Sequence, residues 1–495
     1  MQEKLFYRGY GKYLHKISKG LMILRNTFIL VYLLVTVAIF SFLDASISLW
    51  LSFFSNAVIL SFFTYYHIFI EKFYSPFLST YIVFNYLFFL VAPMSQVTTM
   101  TSMDIPIFSN NFPFEESLFI KTNFLISIFH ITFFLFYVGA KSLIRQKNKK
   151  TSDVFKKSSL SILYLLVLLC ILIILMNWSF ILDELVRPNW LVSNYSVGDL
   201  LIRKKVLFLF PLSGVVLGLS FLKANKLNRQ RFFLFLFAIL LFLVFLILLK
   251  NPLTEKRNAL GPIYLLLIFL FYPKFMNSNV KTTFLLFFSM IVAFPAIQFL
   301  THVDYGFADL LSNPSLIFRK NDLNEGYMSL NYDAFINIGV VIEHVSFDGL
   351  SYGYQLLSAL LFFVPRSIWS GKPDSSGLIV GNHVKDHYDF HFTNLANPYI
   401  AEGFLNFGIV GVIVMAIVLA LVIVYFLTWL KSSDLLKKSV AFYFAMHLIF
   451  LLRGDFTNGY SYFIGTLFGL YIIPKLIIKL YCFVFKQKVW VSRKK

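Results

Sequence analysis

FFLFLFAILLFLVFLILL, Phe232 to Leu249, holds eighteen apolar residues with no charge, proline or glycine among them. As a helix at about 1.5 Å per residue it would cover roughly 27 Å, close to the thickness of a bilayer's hydrocarbon core. Similar runs, each bounded by charge, proline, glycine or tryptophan, recur at 27–43, 48–70, 77–93, 119–140, 158–180, 206–222, 258–273, 282–300, 407–430, 439–452 and 461–480. The whole chain agrees with this reading. Hydrophobic residues make up 58% of 495 positions, charged residues only 14%, and mean hydropathy is +0.74. A soluble protein is nearer a quarter charged, so an all-α polytopic membrane protein with about twelve transmembrane helices is expected. The basic opening MQEKLFYRGYGKYLHKISKG is followed by an apolar run without a small-residue cleavage site, so that run is read as a retained span. Two cysteines, Cys170 and Cys482, imply neither a disulfide framework nor a zinc site.

The basic residues orient the chain. With the N-terminus inside, inner segments hold 30 of the 44 Lys and Arg and outer segments 14, which predicts cytoplasmic termini. A net charge of +20 dispersed over inner loops points to anionic lipid headgroups and not to nucleic acid. This orientation requires that YGYQLLSALLFFV (352–364) does not cross, since otherwise LKSSDLLKK at 430–438 would face outward. The segment is read as re-entrant. Three regions follow: a nine-span scaffold over 1–300, a large outer loop over 301–406, and a three-span part with a basic tail over 407–495.

The long polar interval contains VPRSIWSGKPDSSG, Val364 to Gly377. Cations gather on the outer side here and in three other places. These are LDELVRPNWLVSNYSVGDLLIRKK (182–205), KNPLTEKRNALGP (250–262) and LLRGDFTNGY (451–460). Outward cations oppose the usual topology bias, and an anionic substrate such as a diphosphate would account for them.

At these residues the sequence resembles the Wzy group of oligosaccharide repeat-unit polymerases. The likeness rests on YGYQLLSALLFFVPRSIWSGKPDSSG, NPYIAEGFLNFGIVG and RGDF in the C-terminal third, and on TEKRNALG after a middle span. It implies a GT-C-like glycosyltransferase architecture in a bacterial cytoplasmic membrane. It also implies an undecaprenyl-diphosphate-linked oligosaccharide as substrate, and a chain-length regulator and flippase as pathway partners. A family pattern of Arg and Gly eleven residues apart in the third and fifth outer loops is met by Arg187 with Gly198 and by Arg366 with Gly377.

Such a reaction needs developing charge on the departing diphosphate to be stabilised and a base for the acceptor hydroxyl. Arg257, Arg319 and Arg366 are the expected clamp, with Arg187, Arg453, Lys256 and Lys372 supporting it and Trp369 placed to stack on sugar. Glu402, Asp455, Asp333 and Glu343 are the candidate bases, although Asp455 could simply pair with Arg453. HVKDHYDFH sets His383, His387 and His391 four apart, but without a helix start signal or a known zinc spacing, so no metal and no cofactor is expected. His67, His130 and His447 fall inside spans and are read as interhelical polar contacts. Two rivals fit less well. An O-antigen ligase would carry a histidine followed by a small polar residue, whereas the outer histidines here precede Val, Tyr or Phe. A polysaccharide flippase would place charge within its spans, and these spans are nearly free of it.

Overall fold

The computed structural model describes residues 2–103, 115–143, 159–186, 203–204, 206–224, 228–250, 257–293, 327, 330–388, 390–391 and 393–485. Among them every regular element is a helix. In chain order these are α1 (Gln2–Phe42), α2 (Ile47–Tyr65), α3 (Pro76–Tyr86), α4 (Ala92–Met103), α5 (Glu116–Ser142), α6 (Ser159–Met176), α7 (Trp178–Val186), α8 (Leu209–Ala224) and α9 (Arg229–Leu249). Then come α10 (Arg257–Phe271), α11 (Asn279–Phe288), α12 (Ala334–Asp348), α13 (Tyr354–Leu360), α14 (Ser376–Tyr388), α15 (Tyr399–Leu430), α16 (Leu435–Arg453), α17 (Phe456–Leu467) and α18 (Ile473–Val484). Short π-helical turns join α3 to α4 and α17 to α18, making single spans of each pair.

Each of the twelve expected spans falls on a helix. Eight are long and apolar enough to cross a bilayer by themselves, from Gly20–Phe42 to Phe456–Val484. The other four, Leu160–Met176, Leu209–Lys223, Ala259–Phe271 and Asn279–Val292, are shorter. The chain is a multi-pass membrane protein on this evidence. The span Pro76–Thr101 lies at the centre, with all of its apolar window buried, and is flanked by α2, α11 and α16. Outer helices keep apolar faces exposed, as at Phe233, Phe237 and Val244 of α9 and Val410, Val414 and Val418 of α15. Facing lipid, such surfaces need no further cover.

Polar contacts tie the helix ends together. At the end assigned to the inner face, the buried Glu71 carboxylate accepts from Lys141 Nζ and from Tyr137 Oη (2.5 Å), and it contacts His67. Lys431 sits 3.7 Å over the Phe73 ring at the same end. At the opposite end Ser46, which caps α2, donates to Glu116 at the start of α5. The span histidines make interhelical contacts: His130 Nδ1 with Tyr81 Oη at 2.7 Å, His447 Nε2 with the Gly459 carbonyl at 3.3 Å. His67 Nε2 reaches Ser79 Oγ at 2.7 Å.

The interval after residue 330 is more helical than its composition suggests. α12 buries Ala334 to Val341 without a break and packs on α5, α14 and α15. α13 has seven residues, about 10 Å of helix, against roughly 30 Å of hydrocarbon. α15 begins at Tyr399, eight residues before the expected span. It breaks at Phe407 (φ −143°) and Gly408 (φ +59°, ψ −143°). Gly408 takes a left-handed φ that disfavours any residue with a Cβ. The break exposes a docking point for α13. Asn406 Nδ2 donates to Gln355 Oε1 and to the Glu402 carbonyl, both at 2.9 Å, and its Oδ1 accepts from Leu356 N at 3.1 Å. Ser351 N reaches the Leu405 carbonyl at 2.9 Å. A Cβ on Gly353 (φ +84°) would stand 2.6 Å from the Phe407 ring. The two motifs YGYQ and NFG therefore lock into one another.

Asn406→Ala removes three hydrogen bonds and leaves buried partners at Gln355 and Leu356. It should destabilise the protein by about 2–3 kcal/mol, read as a lowered thermal midpoint of the purified protein. An unchanged midpoint contradicts the joint.

Candidate functional site

The candidate site lies where α15, α16 and α17 meet the starts of α12 and α14. Gly454 ends α16, and Asp455 caps α17, its Oδ1 accepting from Thr457 N at 2.6 Å. This sharp corner turns Asp455 away from its near neighbour Arg453. Arg453 instead holds Asp333: Nη2 is 3.1 Å from Asp333 Oδ1 and 2.6 Å from the Leu330 carbonyl. The pairing of Arg453 with Asp455 suggested by adjacency is thus replaced by a long-range one. Burial pushes the Asp333 carboxyl above its ordinary range although Arg453 pulls it down.

Glu402 is fully buried one turn into α15. Its Oε1 accepts from the Ser376 hydroxyl and from Phe456 N, the latter at 2.9 Å. The last residues of the KPDSSG string thereby reach the acid corner. Gly377 follows, with a missing Cβ that would lie 2.4 Å from the Leu395 carbonyl oxygen and 3.4 Å from Asp455 Cβ. One turn on, a Cβ at Gly381 would lie 2.3 Å from the Thr393 carbonyl carbon. Segment 393–395 can lie against α14 only because both positions are glycine. Gly377, expected to bind substrate, serves here as a contact that admits backbone.

Beside this corner is a cavity of about 310 Å³, lined by Asp333, Arg453, Asp455 and the amides Asn331, Asn394 and Asn458. That size is at the lower end for ligand sites. Asp455 Oδ2 and Arg453 Nε are buried and make no hydrogen bond among the described residues, and Glu402 Oε2 has only the Asn397 side chain beside it, without a well-formed bond. Buried polar atoms are nearly always paired, so unpaired atoms of Asp455 and Arg453, both on the cavity wall, mark a place where something else can bind.

Residues 393–488 match the family model described as O-antigen polysaccharide polymerase Wzy. That segment is similar to the Wzy polymerases. It carries Glu402, Arg453 and Asp455, and the resemblance read from the sequence stands on it. No curated protein and no solved structure matches the chain.

Of the other site residues expected from the sequence, Arg187, Gly198, Lys256 and Arg319 lie outside the described residues. Arg257 opens α10, and its side chain is not among those described. Ala259, two residues on, lines a crevice with Tyr443, His447 and Phe450, and Phe450 also lines the main cavity. The start of α10 is therefore at the same end as Arg453. Arg366, Trp369 and Lys372 form a separate clasp. Arg366 Nη1 donates to the Lys372 carbonyl at 2.7 Å and Nη2 to Asp374 Oδ1 at 2.5 Å. Lys372 Nζ donates to the carbonyls of Leu361, Phe362 and Val364 at 2.9–3.1 Å, covering the open C-terminal end of α13. Its surroundings, partial burial first and then Arg366, hold the Lys372 ammonium pKa below its ordinary range. Trp369 Nε1 donates to Tyr354 Oη at 3.1 Å, and Tyr354 Oη to the Gly371 carbonyl at 2.9 Å. In this structure the Pro-Arg-x-x-Trp-x-x-Lys-Pro element folds back on itself.

Sequence reasoning missed two features. The HVKDHYDFH stretch, expected as loop, largely belongs to α14, whose start at Ser376 follows Asp374–Ser375, a cap-type dipeptide masked by the neighbouring proline and glycines. Ser376 as the partner of Glu402 left no signal in the sequence, because nothing local connects residues 26 apart.

If Arg366 acts through this clasp, Asp374→Ala should shorten polymer as much as Arg366→Ala, and the double variant should be no worse than either. Both exposed partners fold normally, at a cost of about 1 kcal/mol or less. Loss confined to Arg366→Ala, with Asp374→Ala at full polymer length, would show instead that the guanidinium touches substrate.

Proposed function

We propose that this chain polymerises polyprenyl-diphosphate-linked oligosaccharide repeat units at the outer face of the bacterial cytoplasmic membrane, with both termini inside and twelve crossings. The observation that carries the reading is the group of unpartnered polar atoms at the Glu402–Asp455–Arg453 corner, set within the segment that matches the Wzy family model. The charge distribution supports the orientation, and the seven-residue length of α13 supports a re-entrant 352–364.

In the proposed reaction a hydroxyl of the incoming lipid-linked unit attacks the anomeric carbon of the growing chain. The bond from that carbon to the diphosphate oxygen breaks, and the electron pair leaves with the lipid diphosphate. The hydroxyl proton passes to a carboxylate. Asp455 is the base that lines the cavity, and Glu402 beside it is the second carboxylate. Arg453, oriented by Asp333 and the Leu330 carbonyl, turns its Nε to the diphosphate as charge develops there. The start of α10, where Arg257 lies, is at the same end, and Arg187, Arg319 and Lys256 are the further cations expected from the sequence. The cavity amides suit sugar hydroxyls. The rival ligase reading draws on no observation of its own, and a flippase would not need a base.

Asp455→Asn and Arg453→Ala should each reduce polymer formation at least 100-fold while the protein remains in the membrane, leaving single repeat units on the final acceptor. Glu402→Gln, which keeps the acceptor oxygen for Ser376, should lose activity with less loss of stability than Glu402→Ala. Gel profiles of the surface glycan and membrane immunoblots read these outcomes. Long chains stranded on the carrier lipid would indicate a ligase instead, and normal polymer from Asp455→Asn would remove Asp455 from the mechanism.

A further inference from the structure

A second convergence of titratable side chains lies on the same two helices, further from their starts. His344 and Asp348 are one turn apart on α12, and His383 reaches them from α14. Their donor atoms all lie within 4.8 Å of one another. His344 Nδ1 is 2.9 Å from Asp348 Oδ2, and His383 Nε2 is 3.7 Å from Glu343 Oε2. Beyond these ion-pair contacts, Glu343 Oε2, His344 Nδ1 and His383 Nε2 are buried and make no well-formed hydrogen bond among the described residues. The His383 side chain is 1% exposed, so its unpartnered nitrogen points into the cluster and not to water. Buried polar atoms are nearly always well hydrogen-bonded, and four donor groups that meet only one another are a set that a cation would complete.

We propose that His344, Asp348 and His383 bind a divalent transition metal of the zinc class, with Glu343 Oε2 or a water completing four ligands. Two imidazoles and one or two carboxylates are a donor set suited to zinc, cobalt or nickel, and not to magnesium or calcium. In a tetrahedral site with zinc bonds of roughly 2.0–2.2 Å, neighbouring donors stand about 3.3–3.6 Å apart, so donors that lie within 4.8 Å of one another need to draw together by on the order of 1 Å at most to hold the ion. Glu343 is held by the Tyr388 hydroxyl, which donates to its Oε1 and leaves Oε2 toward the histidines. Asp348, with 61% of its side chain exposed, gives the ion a route from solvent.

The position assigns the ion a structural role. α12 follows directly on Asp333, and α14 begins at Ser376 and Gly377, the residues that build the acid corner. His344 is eleven residues beyond Asp333, about 16 Å along the helix, and His383 seven beyond Ser376, about 10 Å. An ion bridging them clamps together the two helices whose first turns form the cavity, without touching the reacting atoms. This departs from the expectation of no metal, which rested on reading His383, His387 and His391 as one loop.

The test is metal content, which does not depend on the glycan reaction. Full-length, tag-free protein purified in detergent is loaded with Zn²⁺, freed of excess, and analysed by elemental mass spectrometry and by competition with a chromogenic chelator. About one tightly held zinc per chain is expected. Asp348→Asn, an exposed substitution that should not unfold the protein, should weaken binding about 10-fold or more, and the double variant His344→Ala/His383→Ala should lose it. Cobalt in place of zinc should give the intense visible bands of a tetrahedral site. Wild-type protein that retains no zinc, or variants that hold it as tightly as wild type, would overturn the assignment.

Discussion

The region from α12 to α15 depends on a broken helix. In an unbroken helix from Tyr399 the Leu405 carbonyl would be taken by the backbone amide four residues on and would be lost to Ser351. The break at Phe407 and Gly408 changes that. It leaves Asn406 to supply both a donor and acceptor to Gln355 and Leu356, and it frees the Leu405 carbonyl for Ser351. With α13 fixed, Lys372 can cover its carbonyl end, Arg366 can close the clasp on Asp374, and Ser376 arrives at Glu402. Each step uses a partner that the previous one positioned.

The apolar architecture was legible because membrane helices advertise themselves by length and composition. Eight described helices are long and apolar enough to cross a bilayer, and four shorter apolar helices fall on the remaining expected spans. The outer region was harder. Its helices are held by pairings between residues far apart in sequence, and those leave no period to read. Asp333 with Arg453 spans 120 residues. Conversely, adjacency misled where Gly454 turns the chain between Arg453 and Asp455. Charge count alone gave Arg366 the leading place, but the partner eight residues on makes it a clasp.

What distinguishes the site is the contrast between satisfied and unsatisfied charge. The clasp is fully paired and half-exposed. At the corner Glu402 and Asp455 are buried and Arg453 partly so, and three of their polar atoms make no well-formed hydrogen bond among the described residues. A low-dielectric wall around preorganised donors and acceptors is the condition under which charge developing in a reaction is most strongly stabilised. The Ser376–Gly377 start of α14 completes that wall, which explains why the long motif ends in Ser-Ser-Gly: a hydroxyl for the carboxylate, then no side chain at all.

The central claim is that lipid-linked diphosphate docks at this corner. A cryo-electron microscopy structure of the purified protein with a polyprenyl diphosphate carrying one repeat unit would test it most directly. The account predicts diphosphate density within hydrogen-bonding distance of Arg453, with the first sugar in the cavity beside Asp455. Diphosphate held instead by Arg366 and Lys372, with the Asp333–Arg453–Asp455 cavity filled only by water, would contradict it.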